Sequence, residues 1–352
     1  MKKNPFDISF GKKPIQAVDR ISQRDEIISV FQQEEITQQI YLITGVRGSG
    51  KTVLMNTIAN QLEQDKAWVV VRLNPDRDLL RSLGAKLSSD TECAGIFRNA
   101  KINLSLFGVG LEVTGEAAVR DVETAIERML KSLKKAKKRL LVTIDEVTAT
   151  PQIKEFASAF QIFIGQELPV FLLMTGLFDN IRSLQNEKNL TFLYRAPKLG
   201  LGPLNFGAVA GIYERVFSIP REDAVKMAGL TKGYPFAFQA LGSVAWKHDL
   251  KEKEYLKEFR QLLEEYVYEK LWSELSAKDK QLAIAMAHCP EGRVRDIYQY
   301  LDAKNDEMNQ YRKRLIDRGL ATGEDRGYLR FALPLFDRFV LENEYIYVQN
   351  PF

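Results

Sequence analysis

Short apolar runs alternate with helical patterns through the first two hundred positions of this chain. Continuously apolar runs predict strands at 39–44, 68–73, 139–144 and 170–175, and a weaker run predicts another at 198–201. Strands that are covered on both faces are apolar throughout rather than at alternate positions. Between them, 53–64 and 122–135 have apolar residues at helical spacing. The pattern predicts an α/β core built on a mostly parallel sheet.

The chain becomes predominantly helical after about residue 206. Apolar residues at helical spacing over 251–272 predict a helix with one buried face. Ser276 is a suitable N-cap for the first of three short helices that are followed by a glycine-rich hairpin, at 277–288, 293–301, 305–318 and 320–332. This order of elements is typical of a winged helix. We therefore expect an α/β core at 1–203, a helical lid at 204–272 and a winged-helix domain at 273–352.

Length, charge and cysteine count exclude only a few classes of protein. The 352 residues suit two or three domains, and the formal charge of +4 is too small to establish a nucleic-acid partner. No apolar run approaches the roughly 18–20 residues of a membrane span. Cys93 and Cys289 stand far apart without spaced partners, which favours a reducing, cytoplasmic location over a disulfide framework.

A glycine-rich motif carries the most specific chemistry. It fits G-x-x-x-x-G-K-[ST], directly after an apolar strand and before a helix, and consists of Gly45, Val46, Arg47, Gly48, Ser49, Gly50, Lys51 and Thr52. Glycines let backbone N–H groups wrap around phosphate. The start of the following helix, which includes Val53, adds the positive end of its dipole. Lys51 is expected to contact the β- and γ-phosphates of ATP, and the Thr52 hydroxyl to bind Mg²⁺.

An acidic pair follows the apolar run 139–144. Asp145 is expected at the carboxyl end of a buried strand, where ligands bind in open α/β sheets, and would hold Mg²⁺ mostly through water. Glu146 would act as the general base that polarises the attacking water. Thr175 ends the next apolar run and is either a contact to the γ-phosphate or attacking water, or a strand-end threonine without function.

On these motifs the chain resembles the AAA+/STAND group of P-loop ATPases, specifically the small prokaryotic ATPases related to the origin-recognition clade. The resemblance extends over nearly the whole chain. It implies an ASCE-type P-loop sheet, a helical lid and a C-terminal winged helix. It also implies ATP hydrolysis that depends on Mg²⁺.

The resemblance implies roles for three further residues. The run 10–20 resembles the adenine-side segment, which assigns Arg20 to the nucleotide, although Asp19 stands where the family usually has glycine. Arg195 follows 191–194 (TFLY), where AAA+ proteins place an arginine finger for the neighbouring subunit. Pro235 lies in 232–236 (KGYPF), which is similar to the G-x-P motif of STAND lids that links nucleotide state to lid position. The motif replaces the sensor arginine of a typical lid, which implies slow hydrolysis.

Some of these residues have plainer interpretations. Arg195 also suits a surface charge or a local ion pair, and 233–235 also suits a simple turn between helices. In the segment 103–113, apolar and polar residues alternate around two glycines, which is consistent with an inserted hairpin. Its apolar residues suit a core, an oligomer contact or a partner site.

Three functions remain open from the sequence. In the first, the chain is a nucleotide-dependent switch that acts through lid and winged helix on a protein partner or on its own assembly. In the second, it is an ATPase that binds duplex DNA through polar and basic side chains of the third winged helix and the hairpin, namely Asn305, Asn309, Gln310, Arg312, Lys313, Arg314, Arg326 and Arg330. The third is a stand-alone ATPase or kinase, which the helical lid disfavours.

Overall fold

The computed structural model describes residues 3–9, 14–100, 107, 121–302 and 305–349. Contacts between residues divide the chain into two units. The sheet unit consists of Arg20–Thr44 and Lys51–Gly200, and the helical unit consists of the chain up to Asp19, Gly45–Gly50 and everything from Leu201 onwards. Residues 10–13 of the predicted adenine-side run 10–20, and all of the predicted segment 103–113 except Phe107, lie outside the described residues.

The sheet unit alternates strands and helices as the apolar pattern predicts. Its elements in chain order are α1 (Ile21–Gln32), β1 (Ile40–Thr44), α2 (Lys51–Glu63), β2 (Trp68–Leu73), α3 (Leu79–Ser89), α4 (Thr91–Asn99), α5 (Val122–Lys135), β3 (Arg139–Ile144), α6 (Pro151–Gly165), β4 (Val170–Gly176), α7 (Phe178–Gln185), α8 (Thr191–Tyr194) and β5 (Lys198–Gly200). The predicted strands are confirmed to within a residue at each end. They form one parallel sheet in the order β2-β3-β4-β1-β5.

Both faces of this sheet are covered. Alternate strand residues such as Leu42 and Val142 belong to a core that includes residues of α3, α5 and α6. On the other face, Phe31 of α1 packs against Tyr41, with ring centroids 5.7 Å apart, and against Phe171 at 5.0 Å. Because the residues of β1, β3 and β4, apart from Arg139, are buried on one face or the other, these strands read as unbroken apolar runs. Parallel pairing also places the carboxyl ends of β1, β4 and β3 side by side at one edge.

The helical unit contains the remaining elements. They are α9 (Phe206–Phe217), α10 (Arg221–Thr231), α11 (Pro235–Lys247), α12 (Glu252–Leu263), α13 (Glu269–Ser273), α14 (Ala277–His288), α15 (Val294–Tyr300), α16 (Asn305–Asp317), β6 (Ala321–Thr322), β7 (Arg330–Phe331) and α17 (Phe336–Gln349). Strands β6 and β7 pair antiparallel. The three short helices and the hairpin thus follow the order predicted from the sequence. None of the described helices is both long enough and apolar enough to cross a bilayer.

Two details of the helical unit differ from a plain reading of its sequence. The helix predicted over 251–272 is interrupted by a π-helical turn at Glu264–Tyr268, between α12 and α13. The N-terminal segment is anchored in the helical unit, because the ring of Phe6 lies against Gly242 and is buried among Tyr213 and other aromatic rings. Ser276 caps α14 as predicted, in a capping box with Asp279.

Candidate functional site

The glycine-rich motif forms a turn between β1 and α2. The Ser49 N–H donates to the Val46 carbonyl oxygen at 3.1 Å, and Gly48 and Gly50 have φ of +76° and +87°. A side chain at these two positions would be strained, which explains glycine there. Lys51 begins α2 with 7% of its surface exposed, and Val53 lies in the first turn of that helix.

Within the sheet unit, the two predicted Mg²⁺ ligands are hydrogen-bonded to each other. The Thr52 hydroxyl donates to Oδ2 of Asp145 at 2.8 Å, which joins the first turn of α2 to the end of β3. The Thr175 hydroxyl at the end of β4 donates to Oδ1 of the same carboxylate. Because β4 lies next to β3 in the sheet, its last residues reach Asp145 directly. The structure therefore brings Thr52, Asp145 and Thr175 into one cluster.

The backbone turns sharply at Glu146. Its φ is +52°, a left-handed conformation that is unfavourable for a residue with a side chain. The Glu146 N–H donates to Oδ1 of Asp145 and to Oγ1 of Thr175, both at 3.1 Å, and the Val147 N–H donates to the Thr175 carbonyl oxygen at 2.8 Å. These bonds hold the turn.

The turn exposes the Glu146 side chain and buries the side chain that follows it. Val147 is fully buried, whereas Glu146 is exposed. The Glu146 carboxylate has no hydrogen-bond or ion-pair partner among the residues that the structure describes. An exposed carboxylate with no protein partner is able to accept a proton from water, as a general base must.

Within the helical unit, the predicted lid motif contacts the glycine-rich turn. The Tyr234 hydroxyl donates to the carbonyl oxygen of Arg47 at 2.5 Å, and the Phe236 N–H donates to the carbonyl oxygen of Gly48 at 3.2 Å. Pro235 lies between them as the first residue of α11, where its fixed φ suits a helix start. The Arg47 side chain also forms an ion pair with Glu274, with 3.3 Å between Nη2 and Oε1.

Sequence reasoning singled out Pro235 and missed the two aromatic neighbours that make these bonds. The only signal in the sequence is their position on either side of a proline at a helix start. A phenol buried at such a place needs an acceptor. Burial raises the pKa of Tyr234 well above its usual range, so its hydroxyl remains protonated and able to donate.

Arg20 and Arg195 are the other two residues that the resemblance assigns to nucleotide. Arg20 is the residue before α1, and burial lowers the pKa of its guanidinium. Arg195 caps the C-terminal end of α8 and is exposed, and no ion pair or side-chain hydrogen bond joins it to another described residue.

Two arginines of the region from α14 to β7, which the sequence predicts to be a winged helix, are already paired with carboxylates. Arg314 Nη2 lies 2.6 Å from Oδ1 of the fully buried Asp279, and Arg330 Nη1 lies 2.9 Å from Oδ2 of Asp325. Asn309, Gln310, Lys313 and Arg326, which the sequence also offers to DNA, are exposed.

Comparison with protein families gives two matches. A family model described as an ATPase domain found predominantly in Archaea matches residues 18–193, which is half of the 352-residue chain. A second model, described as a domain of unknown function, matches residues 265–340. None of the curated proteins matches the chain.

Comparison with solved structures shows what the whole fold is similar to. The Walker-type ATPase PABY2304 of Pyrococcus abyssi aligns with a TM-score of 0.61 at 15% identity, over 92% of this chain and 96% of that one. The Aeropyrum pernix ORC2 protein, solved in ADPNP–ADP complexes, aligns with a TM-score of 0.59 at 14% identity, over 96% and 98%. At these identities the likeness establishes the fold.

Proposed function

This chain belongs to the family of ATPase domains found predominantly in Archaea, and on that premise we propose that it is a nucleotide-dependent switch. In this proposal ATP·Mg²⁺ binds at the glycine-rich turn and the start of α2, and slow hydrolysis changes how the lid and the winged-helix region are presented to a protein partner or to other copies of the chain. The fold of A. pernix ORC2, solved with ADPNP and ADP, supports nucleotide binding by this architecture.

The observation that carries the hydrolytic part is the bond between Thr52 and Asp145. A hydroxyl and a carboxylate 2.8 Å apart offer the hard oxygen atoms that Mg²⁺ prefers, and Mg²⁺ commonly takes few protein ligands because it keeps several waters. The residues present therefore fit the ion. When bound there, Mg²⁺ would neutralise charge on the phosphates.

The protein's own residues would then have separate tasks. Lys51 would place its cation on the β- and γ-phosphates. N–H groups of the turn other than that of Ser49, which donates to Val46, would donate to phosphate oxygens. The Glu146 carboxylate would orient a water and accept its proton, because it is exposed and has no partner among the described side chains. Thr175 would hold Asp145 and the Glu146 backbone in place.

The switching part is supported by the contacts of the lid motif. Tyr234 and Phe236 bond directly to carbonyl oxygens of Arg47 and Gly48. A change in the conformation of the turn on binding nucleotide would therefore be felt at the start of α11. Pro235 would stiffen that start. Arg20 would contact the nucleotide, as the resemblance of the run 10–20 implies.

The test has a binding arm and a switching arm. Calorimetry should give a measurable Kd for ATP·Mg²⁺ with the parent, and Lys51→Ala should weaken it by about a hundredfold or more. Lys135→Ala, which removes an exposed lysine of α5, is the control and should not. Hydrogen exchange of the peptides covering 45–50 and 231–236 should differ between ATP-bound Glu146→Gln protein and ADP-bound parent. Equal exchange in both states would refute the switch while leaving the ATPase intact.

Duplex DNA is the other partner that the predicted winged-helix domain at 273–352 would suit. Lys313 and Arg326 are exposed, whereas Arg314 and Arg330 are held in ion pairs. Binding of a random duplex, followed by fluorescence anisotropy over a range of salt, separates the two functions. Phosphate contacts would give a steep fall of affinity with salt. A protein-directed switch should show no such binding with or without nucleotide.

A further inference from the structure

We propose that Tyr234 is a positioning residue for the phosphate-binding turn, and that its hydroxyl raises affinity for nucleotide by fixing the peptide between Arg47 and Gly48. This inference rests on the proposed function, because it assigns a role at the same nucleotide site. Two consecutive carbonyl groups of the turn accept hydrogen bonds, that of Arg47 from the Tyr234 hydroxyl at 2.5 Å and that of Gly48 from the Phe236 N–H at 3.2 Å.

The geometry of the peptide group determines how these two hydrogen bonds orient the turn. In a planar trans peptide the C=O and the following N–H point in opposite directions. Holding the Arg47 carbonyl towards α11 therefore turns the Gly48 N–H away from α11. The next peptide is fixed at both ends, since the Gly48 carbonyl accepts from Phe236 and the Ser49 N–H donates to Val46. A turn that is held in one conformation loses less entropy when it binds phosphate.

The fit between Tyr234 and the turn is close. A Cβ on Gly48 would lie 2.3 Å from the Tyr234 hydroxyl oxygen and 3.0 Å from Cβ of Phe236. Tyr234 is 4% exposed, and Phe236 is braced by the ring of Tyr266, whose centroid lies 6.0 Å away on the π-helical turn. The hydroxyl is therefore held at the turn by packing on more than one side.

The same lid segment is tied to other parts of the helical unit. Lys232 Nζ donates to the carbonyl oxygens of Phe331 and Leu333 at 3.1 and 3.3 Å. The Leu204 N–H donates to the Gly233 carbonyl oxygen at 2.7 Å. Five consecutive residues, 232–236, thus contact the hairpin, the chain before α9 and the phosphate-binding turn. The segment is therefore hydrogen-bonded both to the hairpin and to the phosphate-binding turn.

Tyr213 provides a matched control for the hydroxyl. Its side chain is also fully buried, and its hydroxyl also donates to a backbone carbonyl oxygen, that of Phe238, at 2.7 Å. It has no hydrogen bond to the turn. Tyr234→Phe and Tyr213→Phe each remove one buried hydrogen bond from the helical unit, so their melting temperatures without nucleotide should fall by similar amounts. Only the first should alter nucleotide binding.

The experiment is calorimetric titration of the full chain with ADP·Mg²⁺, combined with steady-state ATP turnover. We expect Tyr234→Phe to raise Kd about fivefold, which corresponds to the loss of one hydrogen bond, and to raise KM while kcat is retained. Tyr213→Phe should remain within about twofold of the parent. If Tyr234→Phe does not fold, Tyr234→Met also lacks the hydroxyl and takes its place.

Two results would overturn the inference. Unchanged Kd in Tyr234→Phe would show that the hydroxyl does not position the turn. Equal weakening in Tyr213→Phe would show a general loss of packing instead. A parent protein that fails to bind ADP·Mg²⁺ would refute the proposed function itself, which makes that failure distinguishable from failure of the role of Tyr234.

Discussion

The hydroxyl of Thr175 donates a hydrogen bond to the carboxylate of Asp145, across the carboxyl ends of the neighbouring strands β4 and β3. The other oxygen of that carboxylate accepts from Thr52, and the Thr175 oxygen accepts from the Glu146 N–H. Thr175 therefore supports both acidic residues from one atom. This arrangement favours a supporting role for Thr175 over direct contact with phosphate.

Loss of the Thr175 hydroxyl should lower both ATP turnover and the apparent affinity for Mg²⁺. Outer partners of a metal ligand typically contribute 10–100-fold to metal affinity or activity, because they orient the ligand. In Thr175→Val we expect ATP turnover to fall about tenfold and the half-saturating Mg²⁺ concentration to rise. Turnover measured across a Mg²⁺ titration checks this. Thr175→Ser retains the hydroxyl and should behave as the parent, and equal loss in both variants would contradict the assignment.

The left-handed backbone at Glu146 predicts a conflict between stability and activity. A non-glycine residue in this conformation costs roughly 1–2 kcal/mol, part of which glycine would recover against its own entropy cost. We therefore expect Glu146→Gly to raise the free energy of unfolding by up to about 1 kcal/mol and to abolish hydrolysis. Urea denaturation and a turnover assay measure the two effects.

Glu146→Gln separates the loss of hydrolysis from the gain in stability. The amide cannot accept a proton, so this variant should bind ATP and barely hydrolyse it. It retains a side chain at φ +52°, so its stability should match the parent. Turnover equal to the parent would mean that Glu146 is not the base. A Glu146→Gly protein no more stable than Glu146→Gln would mean that the turn is unstrained.

A buried hydroxyl on β3 offers a contrast with Thr175. Oγ1 of Thr143 has no hydrogen-bond partner among the described residues, and Thr143 is 1% exposed. A buried polar group without a partner costs about 1–3 kcal/mol, and valine suits a buried strand. Thr143→Val should therefore raise the free energy of unfolding by about 1 kcal/mol. Denaturant unfolding checks this, and lower stability would indicate that the hydroxyl does have a partner.

Much of the site follows from the sequence because chain order and sheet chemistry determine it. The run 139–144 is apolar on both faces, so it had to be a covered strand, and Asp145 had to lie at its carboxyl end. The pairing of Asp145 with Thr52 was expected from the ion they would share. The strand order then explains Thr175, because β4 lies between β1 and β3.

Other features depend on tertiary contacts that local patterns do not encode. Nothing in 232–236 reveals that Tyr234 and Phe236 bond to a turn nearly two hundred residues away. The positive φ of Glu146 is equally hidden, since glutamate rarely adopts it and only the surrounding bonds impose it. The sequence also does not reveal that Arg314 of α16 is paired with the buried carboxylate of Asp279, a residue of the capping box of α14.

Arg195 is exposed and forms no ion pair with another described residue. An exposed guanidinium without an internal partner is suited to reach a phosphoryl group in a neighbouring copy, where its planar cation meets developing charge. We expect Arg195→Ala to leave ATP affinity within about twofold of the parent and to lower turnover by about 10³-fold, if the finger is supplied between subunits. Calorimetry and a turnover assay over a range of protein concentration measure both.

Mixing inactive variants tests whether Arg195 acts between subunits. Arg195→Ala protein retains Glu146, and Glu146→Gln protein retains Arg195, so one of the two mixed interfaces would contain an intact pair. Mixing should therefore recover part of the activity that each variant lacks alone. Lys198→Ala, which removes a neighbouring exposed cation, is the control and should remain active alone. A parent whose turnover per chain is independent of concentration, and which stays monomeric with ATP, would exclude the finger, because no second copy would then be present to receive it.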